Sequence, residues 1–259
     1  MNALYFTKWK LAMEWKKRAQ ALYQYLLSKL GQCDLCGNCL HDSSLTQQTL
    51  LCSSCFTDLP LFDQAIIQGD LLNWPAINKG LPKINFDHLI CLSPYLPPFT
   101  HWLPQLKYQG RFELATLLAN LLAQQWEKQK LTELISPVDL ILSVPLHINK
   151  WQVRGYNQAH LLAKPLAQSL QLPYDEFALI RTQNNTSQVG KTGKERRQTL
   201  ANAFTLAKEL PGNTKHIIVV DDVLTTGSTA NEISKILKRV GVNEVTIVTV
   251  CLTLPHTNN

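Results

Sequence analysis

Hydrophobic residues from position 87 onward fall into short continuous runs that alternate with stretches of helical spacing. The runs lie at 88–93, 138–144, 177–180, 217–220 and 245–252, and the helical stretches lie at about 111–128, 155–170 and 228–240. Continuous apolar strands separated by helices predict a parallel sheet covered by helices on both faces. We therefore expect an α/β fold, whose ligands bind beyond the carboxyl ends of the strands.

The first 32 residues follow a different pattern, which predicts an amphipathic helix over residues 4–30. Its apolar positions recur at steps of seven and four residues, namely Leu11, Trp15, Leu22 and Leu26. This segment carries six basic side chains and one acidic one, in a chain whose net charge is +6. Two interpretations remain open: a solvated face on a helix docked to its own domain, or contact with phosphate-rich surfaces or acidic lipid.

Composition then narrows the class of protein. With 259 residues, of which 45% are hydrophobic and 17% charged, the chain can bury a sizeable core and is not expected to be disordered. No uncharged apolar stretch reaches the roughly 18–20 residues that a membrane helix needs. The N-terminal pattern does not fit a secretory signal either. We expect a cytoplasmic protein with no membrane span.

The cysteines are concentrated in one short stretch. Cys33 and Cys36 form one Cys-x-x-Cys pair, and Cys52 and Cys55 form a second pair after an interval of fifteen residues. Thiols in a protein that is not exported stay reduced, and two such pairs complete a tetrahedral four-thiolate site for structural zinc. A redox dithiol or chance clustering is the alternative interpretation. Cys39 and His41, between the pairs, are spare candidates for one ligand position.

These patterns divide the chain into four segments. They are a basic helical extension at 1–32, a cysteine-rich zinc module at 33–60, a linker at 61–86 and the α/β domain at 87–259. The linker assignment rests on Pro75, Gly80 and Pro82, which interrupt helical spacing.

The sharpest chemical signal follows the apolar run at 217–220. Asp221 and Asp222 come next, and a turn rich in hydroxyl groups then opens a helix. The turn consists of Thr225, Thr226, Gly227, Ser228 and Thr229. Backbone N–H groups at a helix start, together with such hydroxyls, form a cradle for a phosphate group, which a glycine lets the backbone approach closely.

The two carboxylates would repel a phosphate, so they suit a different part of the ligand. They are placed for the two hydroxyls of a sugar, or for a cation held between a sugar and a pyrophosphate. Ribose 5-phosphate therefore has the right shape for this turn. A P-loop is excluded because no Gly-Lys-Thr/Ser follows a strand at the required spacing. The alternative, a helix cap after a core strand, does not explain adjacent aspartates at that position.

This stretch resembles the type I phosphoribosyltransferases, whose signature is four apolar residues, two acids, two apolar residues and Thr-Thr-Gly-x-Thr. Further stretches are similar to the ComF family, which is associated with natural competence. They are Lys107-Tyr108-Gln109-Gly110-Arg111, Val144-Pro145-Leu146, Arg154-Gly155-Tyr156-Asn157-Gln158, and Arg181, Gln188, Arg196 and Ala203-Phe204. The paired cysteines belong to the same architecture. The basic helix before Cys33 is longer than this family usually has, and Cys39 is an extra thiol.

The resemblance implies displacement of pyrophosphate from 5-phosphoribosyl-1-pyrophosphate (PRPP). The loop at 143–147, with Val144 and Pro145, would bind the pyrophosphate through bridging Mg²⁺. Asp221 and Asp222 would hold the ribose, and Arg154 and Arg196 would supply positive charge. Such chemistry depends on a cation clamp and on exclusion of water more than on a nucleophilic side chain.

The segment 181–200 is the candidate lid over this site. It is basic and polar, with Gly190 and Gly193 as possible hinges. Its charged residues are Arg181, Lys191, Lys194, Glu195, Arg196 and Arg197. Such a stretch is expected to become ordered when an anion binds; a solvated surface loop is the alternative.

The acceptor and the activity remain open at this stage. The leading hypothesis is a PRPP-binding, phosphoribosyltransferase-like protein of the ComF type that handles incoming single-stranded DNA with the competence machinery. The alternatives are a non-enzymatic PRPP sensor or DNA-binding protein that reuses the fold, and a nucleobase-type phosphoribosyltransferase in metabolism. Trp9 and Trp15 in the basic helix are candidates for base stacking. Lys107 and Arg111, four residues apart, are candidates for contact with an acceptor or a nucleic-acid phosphate; ordinary surface charges are the alternative.

Overall fold

The computed structural model describes residues 31–40, 50–81, 84–130, 136–182 and 203–253. The chain divides into two compact units, with the boundary between Leu59 and Pro60. The predicted helix at 4–30, His41 and most of the candidate lid, including Arg196, lie outside the described residues.

A five-stranded parallel sheet organises the larger unit. Its strands are β1 (His88–Pro94), β2 (Leu140–Ser143), β3 (Tyr174–Asp175), β6 (His216–Leu224) and β7 (Glu244–Leu252). They lie in the order β1-β7-β6-β2-β3, and every neighbouring pair is parallel. Two further strands, β4 (Leu179–Arg181) and β5 (Phe204–Leu206), form a separate antiparallel pair.

Helices fill the intervals between the strands. The smaller unit contains α1 (Ser53–Thr57). The larger unit contains α2 (Gln64–Ile67), a 3₁₀ turn (Leu71–Asn73), α3 (Pro75–Gly80), α4 (Phe99–Tyr108), α5 (Glu113–Lys130), α6 (Ile148–Arg154), α7 (Gln158–Leu170) and α8 (Ser228–Arg239). Over the stretches that the structure describes, no helix has the length and apolar character to cross a membrane.

The sheet is buried on both faces, as its continuous apolar runs predict. Side chains of alternate strand residues point to opposite faces, and Ile217 and Val219 join a cluster with Ile233 and Leu237 of α8. Ile218 and Val220 are equally buried but lie outside that cluster. Helix α7 packs on β2 and β6, and α5 packs on β1 and β7. The α/β prediction with helices on both faces is confirmed.

The stretch 61–86, predicted as a linker, packs into the core over its described part. Leu71, Ile77 and Phe86 belong to the same apolar cluster as α8. Pro75 occupies the first turn of α3, where proline is compatible with a helix because its missing N–H would have no partner there. The proline that favours a loop in the sequence therefore begins a helix in the structure.

The run 177–180, predicted as a strand of the parallel sheet, is not part of it. Only Leu179–Arg181 is extended, and it pairs with Phe204–Leu206. Leu179 is buried while Ile180 is exposed, which is the alternation of a strand with one solvent-facing side rather than of a central strand.

Candidate functional site

The turn between β6 and α8 forms a cradle of backbone N–H groups. Gly227 caps α8 with φ 70°, and the hydroxyls of Thr226 and Ser228 lie 2.8 Å apart. The first N–H groups of a helix have no partner within the helix. In this twelve-residue helix they face the loop together with the hydroxyls, so the turn can accept a phosphate group.

Gly227 cannot easily be replaced at this position. Its positive φ is a conformation that side chains with a Cβ rarely adopt. A Cβ built on Gly227 would also lie 3.2 Å from Leu81 Cδ2, and Leu81 is itself buried. Both the positive φ and the close approach of the Leu81 side chain therefore favour glycine at this position.

Asp221 and Asp222 lie inside β6, not beyond its end. Asp221 is on the strand face of Ile217 and Val219, and Asp222 is on the opposite face. The backbone N–H of Asp222 donates to Asp221 Oδ1 at 2.8 Å. Burial raises the pKa of Asp221 well above its ordinary value, and the neighbouring charge of Asp222 raises it further.

Lys107, from the last turn of α4, forms an ion pair with Asp222. Its Nζ contacts Asp222 Oδ2, with the two side chains 21% and 7% exposed. Gln158 Nε2 donates to the other oxygen, Asp222 Oδ1, at 3.2 Å. Both oxygens of this carboxylate therefore have partners within the protein.

The same network continues outward to the surface. Arg154 Nη1 donates to Gln158 Oε1 at 2.9 Å, and Arg154 Nη2 donates to the Tyr108 hydroxyl at 2.9 Å. The guanidinium also lies 4.8 Å from the centre of the Tyr108 ring. Because Tyr108 follows Lys107 in α4, the contacts close into a ring through α4, α6, α7 and β6.

The loop after β2 lies beside β6. Val144 N donates to Val220 O at 2.9 Å, and Asn157 Nδ2 donates to Val144 O at 3.0 Å. His147 caps α6, since its Nδ1 accepts from Asn149 N. Val144 and Pro145 thus lie at the end of β2, beside the strand that carries the acid pair. The family resemblance implies a pyrophosphate-binding role for this loop.

Arg181 is another predicted residue that the structure describes. The Arg181 guanidinium lies 5.2 Å from the centre of the Phe204 ring; burial lowers the pKa of Arg181, and the charge of Asp221 opposes this shift. His160 Nδ1 hydrogen-bonds the Tyr174 hydroxyl, whose pKa burial raises to about 12. His160 therefore has a hydrogen-bond partner on β3.

Two residues of this network carry contacts that sequence reasoning missed. The sequence indicates a surface charge or an acceptor contact for Lys107, and it marks Gln158 only as part of a stretch similar to the family. Both stretches were marked by the resemblance, but nothing in their spacing indicates that they converge on Asp222.

The smaller unit brings together the four predicted zinc ligands. The Sγ atoms of Cys33, Cys36, Cys52 and Cys55 all lie within 4.8 Å of one another. Cys36 Sγ and Cys52 Sγ are 3.7 Å apart, close to the edge of about 3.8 Å expected for four sulfurs each about 2.3 Å from zinc. Cys39 is exposed and is not part of this cluster among the described residues.

The local backbone explains the convergence. Cys33 N donates to Asn38 O and Gly37 N donates to Cys33 O, which turns the chain between the first two cysteines. Burial raises the pKa of the Cys33 thiol, but N–H groups of Cys36 and Cys52 outweigh it and lower the pKa to about 6. Backbone donors thus favour the thiolate of Cys33, the form that binds zinc, whereas the neighbouring thiols raise the pKa of Cys55. The cluster is compatible with structural zinc.

A model of the phosphoribosyl transferase domain matches residues 157–257. The match contains the acid pair, the turn at 225–229 and Gln158, whereas Lys107 and Arg154 precede it.

Two kinds of curated relative cover most of the chain. Competence protein F of Haemophilus influenzae is 35% identical over 204 residues, which is 76% of this chain and 88% of the relative. DNA utilization protein YhgH of Salmonella typhimurium is 34% identical over 228 residues, 88% of this chain and 93% of the relative. Competence protein ComFC of Streptococcus pneumoniae is 26% identical and covers 54% of this chain and 56% of the relative.

Among solved structures, adenine phosphoribosyltransferase from Leishmania tarentolae is 17% identical, with a TM-score of 0.35, and covers 56% of this chain and 62% of that one.

The parallel sheet, the turn after β6 and the domain match define a phosphoribosyltransferase-type domain. The two long relatives extend the similarity over the segment before it. The chain belongs to the competence protein F (ComF) family.

Proposed function

We propose that this protein binds PRPP, or another ribose 5-phosphate compound, in the turn between β6 and α8, and that it acts on incoming single-stranded DNA in natural competence. The observation that carries the ligand is the opening of α8 at Gly227 directly after the acid pair. Relatives named competence protein F and DNA utilization protein support the DNA context.

If the protein is a transferase, the bond between C1 of PRPP and the pyrophosphate oxygen breaks and a bond from C1 to the acceptor forms. Mg²⁺ would neutralise charge on the leaving pyrophosphate, and it prefers oxygen ligands such as carboxylates. The carboxyl group of Asp221, which is partly buried, offers such an oxygen. The turn at 225–229 would hold the 5-phosphate, and the loop with Val144 and Pro145 would lie near the pyrophosphate.

Ligand binding and turnover test this proposal separately. We expect the wild-type chain to bind PRPP with Mg²⁺ in a calorimeter, and Asp221→Asn to weaken that binding at least about tenfold, the worth of a hydrogen bond to a charged group. Asp58→Asn, at an exposed aspartate of the smaller unit, is the matched control. Unchanged PRPP affinity in Asp221→Asn contradicts the site assignment.

Pyrophosphate release with candidate acceptors separates the functions. Release with free nucleobases favours a metabolic phosphoribosyltransferase, and release with a DNA component favours an enzyme of DNA handling. Tight PRPP binding without release in any mixture favours a sensor.

A second observation favours direct contact with single-stranded DNA. Tyr108, Phe112 and Trp151, which we call the aromatic surface, are 66%, 49% and 51% exposed. Arg154 contacts Tyr108 and shares α6 with Trp151, three residues away. Exposed aromatic rings beside cations provide stacking for bases and attraction for the phosphate backbone.

We expect Trp151→Ala to weaken binding of an oligonucleotide about fivefold or more, because one stacked base contributes about 1–3 kcal/mol. Phe177→Ala removes an aromatic ring that is 70% exposed outside the aromatic surface and serves as the control. The affinity should also fall steeply with salt. An affinity independent of salt and of Trp151 contradicts this interface.

We also propose that the four-cysteine cluster holds structural zinc and that the protein is cytoplasmic. Four converging thiols support a metal site. A metal site of this kind fits a compartment in which thiols stay reduced, such as the cytoplasm.

A further inference from the structure

Two adjacent carboxylates suit the two hydroxyls of a ribose only if both can reach the sugar. In this structure the pair is unequal, because Lys107 and Gln158 engage the two oxygens of Asp222. We propose that Lys107 sets the sugar specificity of the site: it withdraws Asp222, so that the site accepts 5-phosphates of 2-deoxyribose about as well as those of ribose. The proposal rests on the proposed function, that is, on binding of a sugar 5-phosphate at the turn after β6.

Burial limits the access of a ligand to Asp222. Its side chain is 7% exposed, and its two oxygens already contact Lys107 and Gln158. A second sugar hydroxyl can bind Asp222 only by replacing the ammonium or the Gln158 amide.

That replacement brings little net gain. A hydroxyl is a neutral donor, whereas the ammonium adds the Coulomb attraction of two opposite charges to its hydrogen bond with the carboxylate. Breaking a buried ion pair also leaves a charge without its partner, which is strongly unfavourable. A second hydroxyl on the ligand therefore adds little to its affinity.

The network holds Lys107 and Gln158 in these positions. Arg154 fixes the Gln158 side chain and is itself bound to Tyr108, the residue after Lys107. The Tyr156 hydroxyl donates to Leu106 O at 2.6 Å, which secures the last turn of α4 next to Lys107. The ion pair is thus supported from both helices that supply it.

Lys107 also lies outside the residues that match the transferase domain, 157–257. Its ammonium is supplied by α4, ahead of the matched domain. The ligand class that follows is the 5-phosphates of 2-deoxyribose, including 2′-deoxynucleoside 5′-monophosphates, alongside the ribose compounds.

Calorimetry with the full chain tests this, using ribose 5-phosphate and 2-deoxyribose 5-phosphate as probes. We expect the wild type to bind them with affinities within about threefold of each other. In Lys107→Met, where Asp222 becomes open to the sugar, we expect a preference for ribose of about tenfold to hundredfold, the worth of one hydrogen bond to a charged group.

Lys238→Met is the matched control. Lys238 Nζ pairs with Asp87 Oδ2 at 2.6 Å, with the lysine 30% exposed, so its loss removes a comparable ion pair away from the acid pair and should leave the affinity ratio unchanged. The ratio of two affinities within one variant does not depend on the fraction of folded protein. If Lys107→Met does not fold, Lys107→Gln removes the charge and leaves only a neutral amide, which a sugar hydroxyl can replace, so the preference for ribose should rise in the same direction as in Lys107→Met but by less.

The possible results distinguish a failure of the role of Lys107 from a failure of the proposed sugar phosphate site. A wild type that prefers ribose tenfold or more, or a ratio unchanged in the Lys107 variants, overturns the role of Lys107 while leaving the sugar phosphate site intact. If the wild type binds neither sugar phosphate, the proposed function itself fails, and this inference fails with it.

Discussion

Removal of one thiol from the four-cysteine cluster tests whether metal maintains the smaller unit. Cys36 is suited to this because its side chain is exposed, so replacement by serine removes a ligand without opening a cavity. Its Sγ lies 3.7 Å from Cys52 Sγ. Cys39 is the matched control, since it is also exposed, lies three residues away and contacts Gln32 through a backbone bridge.

The magnitude follows from how little apolar surface the described residues of this unit bury. Among them the buried leucines are Leu40, Leu51 and Leu59, which contribute about 1.5–3 kcal/mol each. Ordering the residues at 31–40 and 50–59 costs about 1 kcal/mol per residue, or about 20 kcal/mol. Structural zinc contributes about 10–16 kcal/mol in peptides of this size, which together with the leucines matches that cost. Without zinc, the unit should unfold.

We therefore expect about one zinc per chain, by elemental analysis, in the wild type and in Cys39→Ser, and little in Cys36→Ser. Chymotrypsin should then cut Cys36→Ser between Gly31 and Leu59. Trypsin cannot be used for this test, because that stretch contains no lysine or arginine. The larger unit should unfold as in the wild type. Full zinc content and unchanged resistance to chymotrypsin in Cys36→Ser would refute the four-thiolate site.

Two further predictions concern the larger unit. Gly227→Ala should lower the free energy of unfolding by about 1–2 kcal/mol because of the positive φ, whereas Gly212→Ala, which has open space around it, should change it by less than about 0.5 kcal/mol; equal effects in urea titrations would contradict this. Burial lowers the pKa of His216, so its neutral form stabilises the fold and this contribution is lost as pH falls below about 6.5. The stability difference between wild type and His216→Gln should therefore shrink from pH 8 to pH 5, and a difference independent of pH would exclude this reasoning.

The alternation of apolar runs and helices was sufficient to predict the fold class. The same pattern was less reliable for individual segments, namely for one short apolar run and for a stretch that contains proline and glycine. The run at 177–180 has the apolar content of a sheet strand, but Leu179–Arg181 pairs with Phe204–Leu206 instead. Proline and glycine at 75–82 indicated a linker, yet Ile77 is buried in the core, because tertiary packing overrides a local preference for loops.

The site was predictable where its residues are contiguous. Asp221 to Thr229 form one strand, turn and helix start, so their proximity follows from chain connectivity. The contact of Gln158 with Asp222 spans 64 residues, and that of Arg154 with Tyr108 spans 46. No helical or strand periodicity predicts contacts between residues so far apart in the sequence. The side-chain network depends instead on how α4, α6 and α7 pack around the sheet.

The acid pair shows why a motif locates a site without assigning its parts. Asp221 and Asp222 are identical side chains at adjacent positions, but alternate strand residues face opposite ways. Asp222 therefore contacts Lys107 and Gln158, whereas the pKa of the partly buried Asp221 is raised by burial and by the charge of Asp222. The contacts that distinguish the two carboxylates thus come from α4 and α7. Under the role that we propose for Lys107, a chain that keeps the motif but changes residue 107 should bind a different set of sugars.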